Sequence, residues 1–163
     1  MAPTSQPNHP RFDSLPQEAF LHLWRTYDRL RAIEEALFNQ YELSPQQYNA
    51  LRLLRSVAPG SMPTLAMGTR LISRAPDMTR LIDKLEKRGL VSRERRSENR
   101  RIVEVSITSP GLKLLQELDE PVLQCARTQL GHLSDATLQE LIRLLELARL
   151  PHEERGSLWA ASE

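Results

Sequence analysis

The sequence predicts a mainly α-helical fold that carries one small β-hairpin. Apolar residues recur every three or four positions over most of the 163 residues, which is the periodicity of amphipathic helices. Residues 102–107 instead alternate between apolar and polar side chains, which is typical of a half-buried strand. Serine or threonine close to a proline or an aspartate marks several helix starts. A chain of this length can bury the core of about one domain.

The first predicted helix runs from Pro16 to Tyr41. Its apolar side chains form one stripe, and charged residues such as Asp28 and Arg31 point away from it. The stripe consists of Phe20, Leu23, Trp24, Tyr27, Leu30 and Leu37. Residues 1–15 are rich in proline and polar side chains, which predicts a flexible N-terminal arm.

Two shorter helices are expected next. Ser44 supplies an N-cap and Pro45 the first helical residue of a helix that ends at residues 58–60. Its inward residues are Tyr48, Leu51, Leu54 and Val57. Residues 62–64 are interpreted as the cap of a short helix that extends to Leu71.

A basic amphipathic helix is predicted from Ser73 to Arg88. Pro76 fits only the first turn, because later turns need its missing backbone N–H. At 100° per residue the apolar face consists of Met78, Leu81, Ile82 and Leu85. The opposite face consists of Pro76, Arg80, Asp83, Lys84 and Lys87, with Asp77 and Thr79 on its flanks. Gly89 stands where a left-handed residue usually ends a helix.

The hairpin and two further helices complete the chain. Residues 90–94 and 102–107 are predicted strands, and the arginine-rich residues 95–101 form the turn between them. Thr108 and Pro110 begin a helix that meets Pro121 and is expected to resume kinked through residue 130. Ser134 caps a last helix that ends before Pro151, and residues 151–163 are predicted to be a flexible tail.

This order of elements predicts a winged helix-turn-helix domain at residues 44–108, in which the hairpin is the wing. The flanking segments, residues 16–43 and 109–150, carry apolar stripes too long for that domain to cover. Such helices usually pair with a second copy of the chain. The sequence therefore predicts N- and C-terminal dimerisation helices in a homodimer.

The charge of the chain is concentrated in one segment. Residues 70–101 hold 11 Arg or Lys and five Asp or Glu, a local balance of +6, whereas the whole chain carries +1. A basic block in an otherwise acidic chain indicates a localised surface that binds a polyanion.

Double-stranded DNA is the partner that this arrangement predicts. A major groove admits one helix, and the phosphates attract Arg and Lys. The candidate recognition-helix residues are Arg74, Asp77, Thr79, Arg80 and Lys84. The candidate wing residues are Arg95 and Arg96 for phosphates, and Arg100 and Arg101 for the minor groove. For Asp77 two interpretations stay open, a contact to a cytosine amino group or an interaction with the helix dipole.

Two runs of residues resemble the MarR (multiple antibiotic resistance regulator) family. Residues 79–91 (TRLIDKLEKRGLV) are similar to its recognition helix, and residues 99–111 (NRRIVEVSITSPG) to its wing. The resemblance covers residues 19–150. It implies homodimeric winged-helix repressors of pseudo-palindromic operators, with Arg101 as the wing-tip arginine in the minor groove.

Two positions depart from that family. Its wing aspartate is Asn99 here, so a looser wing or bracing by Glu98 is expected. The reactive cysteine that its peroxide sensors carry near the first helix is missing. Cys125, the sole cysteine, is interpreted as a small apolar residue of a dimerisation helix.

The resemblance also implies that a small molecule, often an aromatic acid, relieves repression. Such ligands bind between the dimerisation helices and the winged domain. Trp24, Tyr27 and Tyr48 are the candidate lining of that crevice, although a stripe at helical spacing is more often core.

Other functions are weighed against this one. A winged-helix protein–protein module is the main alternative, and the arginine-rich tip favours DNA over it. A metal-responsive regulator is the second, but the four histidines lack paired spacing: His9, His22, His132 and His152. Without a nucleophile motif or a glycine-rich phosphate loop, neither an enzyme nor a cofactor is expected. One cysteine and no signal-peptide pattern predict a cytoplasmic location.

Overall fold

The computed structural model of the chain describes residues 12–73 and 77–153. Helices α1 (Leu15–Asn39) and α2 (Pro45–Val57) precede the short strand β1 (Met62–Pro63) and helix α3 (Thr64–Arg70). Helix α4 (Met78–Lys87) and strands β2 (Val91–Arg95) and β3 (Val103–Ile107) follow. Helices α5 (Ser109–Leu130) and α6 (Asp135–Arg149) and a 3-10 turn (Leu150–His152) end the described part. The mainly α-helical fold with a small hairpin is confirmed.

Side-chain caps fix most helix starts where the sequence predicts them. The hydroxyl of Ser44 accepts from the backbone N–H of Gln47 at 3.1 Å, and the Gln47 side chain accepts from the N–H of Ser44 at 2.8 Å. Thr108 and Ser134 likewise accept from the backbone N–H three residues later. These caps satisfy N–H groups that have no partner within the first helical turn.

Helix α4 begins later than the sequence predicts. Its first residue is Met78 rather than Ser73, and its N-cap is Asp77. The carboxylate of Asp77 accepts from the backbone N–H of Arg80 at 2.9 Å. Two predicted features of the earlier start, Arg74 and Pro76, lie outside the described residues.

The sheet has three strands in the order β1-β3-β2, all antiparallel. Val105 in β3 is opposite Met62 on one side and Arg93 on the other. Strand β1 corrects the prediction that residues 62–64 only cap a helix, because Pro63 makes no side-chain cap bond. The hydroxyl of Thr64 instead donates to the carbonyl of Val103 at 3.2 Å, which ties α3 to the wing.

One apolar cluster supports the helices and the wing. It contains Phe38 of α1, buried residues of α2, α3 and α4, the strands, and Leu115 and Leu118 of α5. Helix α5 runs through Pro121 as a single helix. Helix α6 buries none of its residues, which distinguishes it from every other α-helix described here. No helix within the described ranges is long and apolar enough to cross a membrane.

The ends of the chain fall largely outside the described residues. Of the predicted N-terminal arm the structure describes residues 12–15, and of the predicted tail residues 151–153. Leu15 already belongs to α1, one residue before the predicted helix start.

Candidate nucleic-acid interface

Helix α4 presents a cationic face to solvent because its other face is anchored in the core. Leu81, Ile82 and Leu85 are buried, as the periodicity predicts. Arg80 and Lys84 are exposed, as are Thr79 and Lys87. The Arg80, Lys84 and Lys87 side chains form no hydrogen bond or ion pair with any described residue, so their charges are available to a partner.

The carboxylate of Asp77 already has a structural role, which competes with its predicted contact to a DNA base. Since its carboxylate caps α4, the interpretation as a partner of the helix N-terminus is the one that the geometry supports. Asp77 remains exposed at the end of the helix. Its main effect is to order the first turn, which carries Thr79 and Arg80.

The C-terminal end of α4 is fixed from two sides. Gly89 adopts a φ of 70°, the left-handed conformation that the sequence predicts for it. The guanidinium of Arg88 donates to the carbonyl oxygens of Glu42 at 2.7 Å and Tyr41 at 3.1 Å. Arg88 therefore joins α4 to the turn that directly follows α1, and this cation of the basic block is structural.

Arg93 joins the wing to α4. Its guanidinium lies 2.6 Å from the Asp83 carboxylate and 2.5 Å from that of Glu86, both on α4. The hydrogen bonds to Glu86 raise the pKa of the Arg93 guanidinium above its ordinary value, and the two negative charges add to this. The clamp also neutralises carboxylates that would otherwise repel DNA from this helix. The sequence held one sign of this structural role, because the alternation along the strand places Arg93 on the same face as the buried Val91.

Some arginine side chains of the wing are unpaired within the described residues, and others form ion pairs. Arg95, Arg100 and Arg101 are exposed, and their side chains have no partner among the described residues. Arg96 forms an ion pair with Glu104, whose carboxylate also accepts from the Ser61 hydroxyl at 3.0 Å. A phosphate contact by Arg96 would compete with that pair.

Asn99 shapes the turn at the wing tip. Its side-chain oxygen accepts from the backbone N–H of Arg101 at 3.0 Å, and its carbonyl accepts from Ile102 at 3.0 Å. The Asn99 side chain therefore braces the backbone of Arg101 and not its guanidinium. Glu98, the expected alternative brace, makes no hydrogen bond or ion pair within the described part of the chain.

A cavity of about 910 Å³ lies between α1, α2, α5 and the segment that connects α3 to α4. Tyr27 and Tyr48 line it, as predicted for a ligand crevice, whereas Trp24 is not part of its lining and is 61% exposed. The Tyr48 ring stacks on Phe38 with 4.4 Å between ring centroids. Three arginines that the sequence did not single out also line the cavity: Arg31, Arg52 and Arg70.

Two acidic groups of this cavity, the Glu34 carboxyl and the Cys125 thiol, both have raised pKa values. Burial raises the pKa of the Glu34 carboxyl, and the neighbouring charge of Glu35 raises it further. Burial also raises the pKa of the Cys125 thiol, and the negative charge of Glu34 adds to the effect. A thiol with a raised pKa is a poor nucleophile at neutral pH, which is consistent with the structural role predicted for Cys125.

Apolar side chains cover the outer faces of α1 and α6. On α1, Phe20 is 60% exposed and Trp24 61%, and on α6, Ile142 and Leu147 are each 55% exposed. Large apolar side chains that are exposed together often mark a protein–protein interface.

Comparison with known proteins identifies the family. The sequence model of the MarR family matches residues 43–103, from the start of α2 into the wing. The solved structure of a MarR transcription factor from Planctomyces limnophilus is 65% identical, with a TM-score of 0.68. The match covers 84% of this chain and 99% of that one. The chain belongs to the MarR family. It is a DNA-binding transcriptional regulator, as the helix and the wing predict, and not an enzyme.

Two further relatives of this MarR-family chain have described roles. The HTH-type transcriptional repressor IacR of Pseudomonas putida is 24% identical over 140 residues, covering 85% of this chain and 83% of the relative. The solved structure of BpsR from Bordetella bronchiseptica is 23% identical in sequence, with a TM-score of 0.69. That structure concerns the regulation of DNA binding by 6-hydroxynicotinic acid. It covers 80% of this chain and 98% of that one, and at this identity it shows the shared fold.

No group of three or more metal-binding side chains is present among the residues that the structure describes. His22, His132 and His152 are exposed, and His9 lies outside the described residues. The metal-responsive alternative gains no geometric support.

Proposed function

We propose that the chain is a homodimeric repressor that binds a pseudo-palindromic operator and is released by a small ligand. The observation that carries the proposal is the free cationic face of α4 beside the free arginines of the wing tip. Arg80 is assigned to base edges, with Thr79 and Lys84 beside it, and Arg101 with Arg100 to the minor groove. Arg95 and Lys87 are assigned to phosphates, and Arg74 and Arg96 complete the predicted contact set.

The exposed apolar faces of α1 and α6 support the homodimer. A second copy that covers them would bury side chains that the single chain leaves in water. Trp24 is assigned to this surface rather than to the ligand crevice. Trp24→Asp should then convert the dimer to monomers in sedimentation measurements, whereas an unchanged mass would count against this surface.

The cavity supports relief by a ligand. Its walls include aromatic rings, one carboxyl and three arginines, of which Arg31 is paired with Glu35, so a small aromatic anion fits its chemistry. The relative BpsR, whose DNA binding is regulated by 6-hydroxynicotinic acid, supports the same ligand class.

Fluorescence anisotropy on DNA from the chain's own promoter region tests the DNA contacts. Arg80→Ala should weaken specific binding by about 1–3 kcal/mol, and Arg101→Ala should also lower the salt slope by about one unit. Arg127→Ala, an exposed cation near the end of α5, is the matched control. Binding that ignores the first two substitutions would favour the protein–protein module instead, and the lack of any specific complex would refute the proposal.

A further inference from the structure

We infer that Asn49 is the positioning residue through which occupancy of the cavity reaches the recognition helix. The inference rests on the proposed ligand control and adds the contact that carries it. Asn49 lies on α2 in the cavity wall, and its side-chain oxygen accepts from the backbone N–H of Ile72 at 3.3 Å. Ile72 belongs to the segment that connects α3 to α4.

This hydrogen bond holds Ile72 to α2. The backbone N–H of Leu71 is bound within its own helix end, to Met67 at 3.1 Å. Ile72 is the next residue, and its partner is on another helix, 23 positions earlier in the chain. Its side chain is 67% exposed at the cavity rim. The described part of the segment therefore depends on Asn49 for its only polar link to α2.

The chemistry of the bond suits an exchangeable contact. A donor–acceptor distance of 3.3 Å is at the long end for N–H···O bonds, so little is lost when the amide changes partner. A ligand with a polar group near Asn49 can bond the side-chain amide and release the Ile72 N–H to water. Ile72 is then no longer held to α2, and the DNA-bound orientation of α4, which begins at Met78, loses stability.

The chain offers a covalent stand-in for the unidentified ligand. Cys125 lines the same cavity and is the sole cysteine, so a thiol reagent modifies one defined place. Treatment with 5,5′-dithiobis(2-nitrobenzoate) joins a nitrothiobenzoate to Cys125 as a mixed disulfide and releases a second nitrothiobenzoate. The attached group is an aromatic carboxylate inside the cavity. Because the thiol pKa is raised, the reaction is run at alkaline pH.

Anisotropy titrations of the full chain on operator DNA then separate the steps. Modified wild type should bind roughly tenfold more weakly than unmodified, a typical coupling between two sites. Asn49→Ala without modification should bind about as weakly, and modification should change it less than twofold. Asn49→Asp keeps an acceptor oxygen for Ile72 and should restore the affinity of the unmodified protein. Asn39→Ala, an exposed asparagine at the end of α1, is the matched control, and treated Cys125→Ser controls for the reagent.

Hydrogen–deuterium exchange gives a readout that needs no substitution. The peptide that contains Ile72 should exchange faster in modified than in unmodified wild type. If modification weakens DNA binding but leaves this exchange unchanged, or weakens Asn49→Ala as much as wild type, the role of Asn49 is refuted and ligand control stands. If modified wild type binds DNA normally, control through this cavity fails and the inference fails with it.

Discussion

Replacing Arg93 by alanine should loosen the wing from the recognition helix. The Arg93 side chain is 31% exposed and bridges Asp83 and Glu86, which are 41% and 37% exposed. The substitution removes both ion pairs and leaves two carboxylates three residues apart on α4 without their shared cation. Like charges at that spacing on a helix repel each other.

The expected loss follows from those exposures. Solvent-exposed ion pairs stabilise a fold by about 0.2–1 kcal/mol each. Because Arg93 is less exposed than either partner and serves both, the upper half of that range applies, or about 1–2 kcal/mol in total. For a chain of this size that corresponds to a fall in Tm of roughly 3–6 °C.

Thermal denaturation followed by circular dichroism measures this loss. Arg95→Ala is the matched control, since Arg95 lies on the same strand and its side chain has no partner among the described residues. It should leave Tm unchanged while weakening DNA binding. In 1 M salt the Arg93→Ala difference should shrink, because salt screens the pairs. An equal fall in Tm in a background of Asp83→Asn with Glu86→Gln would refute the clamp.

Three further predictions concern substitutions of single residues. The raised pKa of Glu34 means that the folded state binds this proton more tightly than the unfolded chain, so its ionised form costs stability above the folded pKa. Glu34→Gln should therefore raise Tm near pH 7.5, lose that advantage as the pH falls to about 4, and speed alkylation of Cys125 by iodoacetamide. Gly111→Ala should lower the free energy of unfolding in urea by about 3 kcal/mol, because a Cβ there would overlap the backbone carbonyl of Leu90. Gly68→Ala meets only an ordinary contact at 3.8 Å and should stabilise α3 by up to about 1 kcal/mol. Equal effects of the two substitutions would contradict the close approach at Gly111. Asp77→Ala should lower the free energy of unfolding by about 1 kcal/mol and Asp77→Ser should not, so equal losses would argue against the cap.

Local signals predicted most of the helices. The caps at Ser44, Thr108 and Ser134 act within three residues, so the sequence alone contains both partners of each hydrogen bond. The predicted start of α4 was wrong because apolar periodicity does not define where a helix begins, and Asp77 was placed inside the helix rather than at its N-cap. Strand β1 was missed because two residues show no period, and its partner β3 is some 40 positions away.

The site was predictable in kind but not in detail. A basic segment indicated DNA binding, and the exposed Arg80, Arg100 and Arg101 agree with that. Neighbours in the folded chain decide which cations are already paired. The sequence alone therefore could not distinguish Arg88 and Arg93 from the unpaired arginines. The same holds for the proposed role of Asn49, which depends on Ile72 in the segment that follows α3.

The link between Arg88 and the end of α1 bears on the distance between the two half-sites of an operator. Two half-sites on one face of DNA lie about 34–36 Å apart, and each must meet its own helix in register with the groove. Arg88 ties α4 through two carbonyl oxygens to the turn that directly follows α1, so we expect α4 to move with the end of α1. In the proposed pair, a small rotation of one α1 against the other is therefore transmitted to the separation of the two reading helices. In that proposed pair, α1 would set the spacing of the operator and α4 would read its sequence.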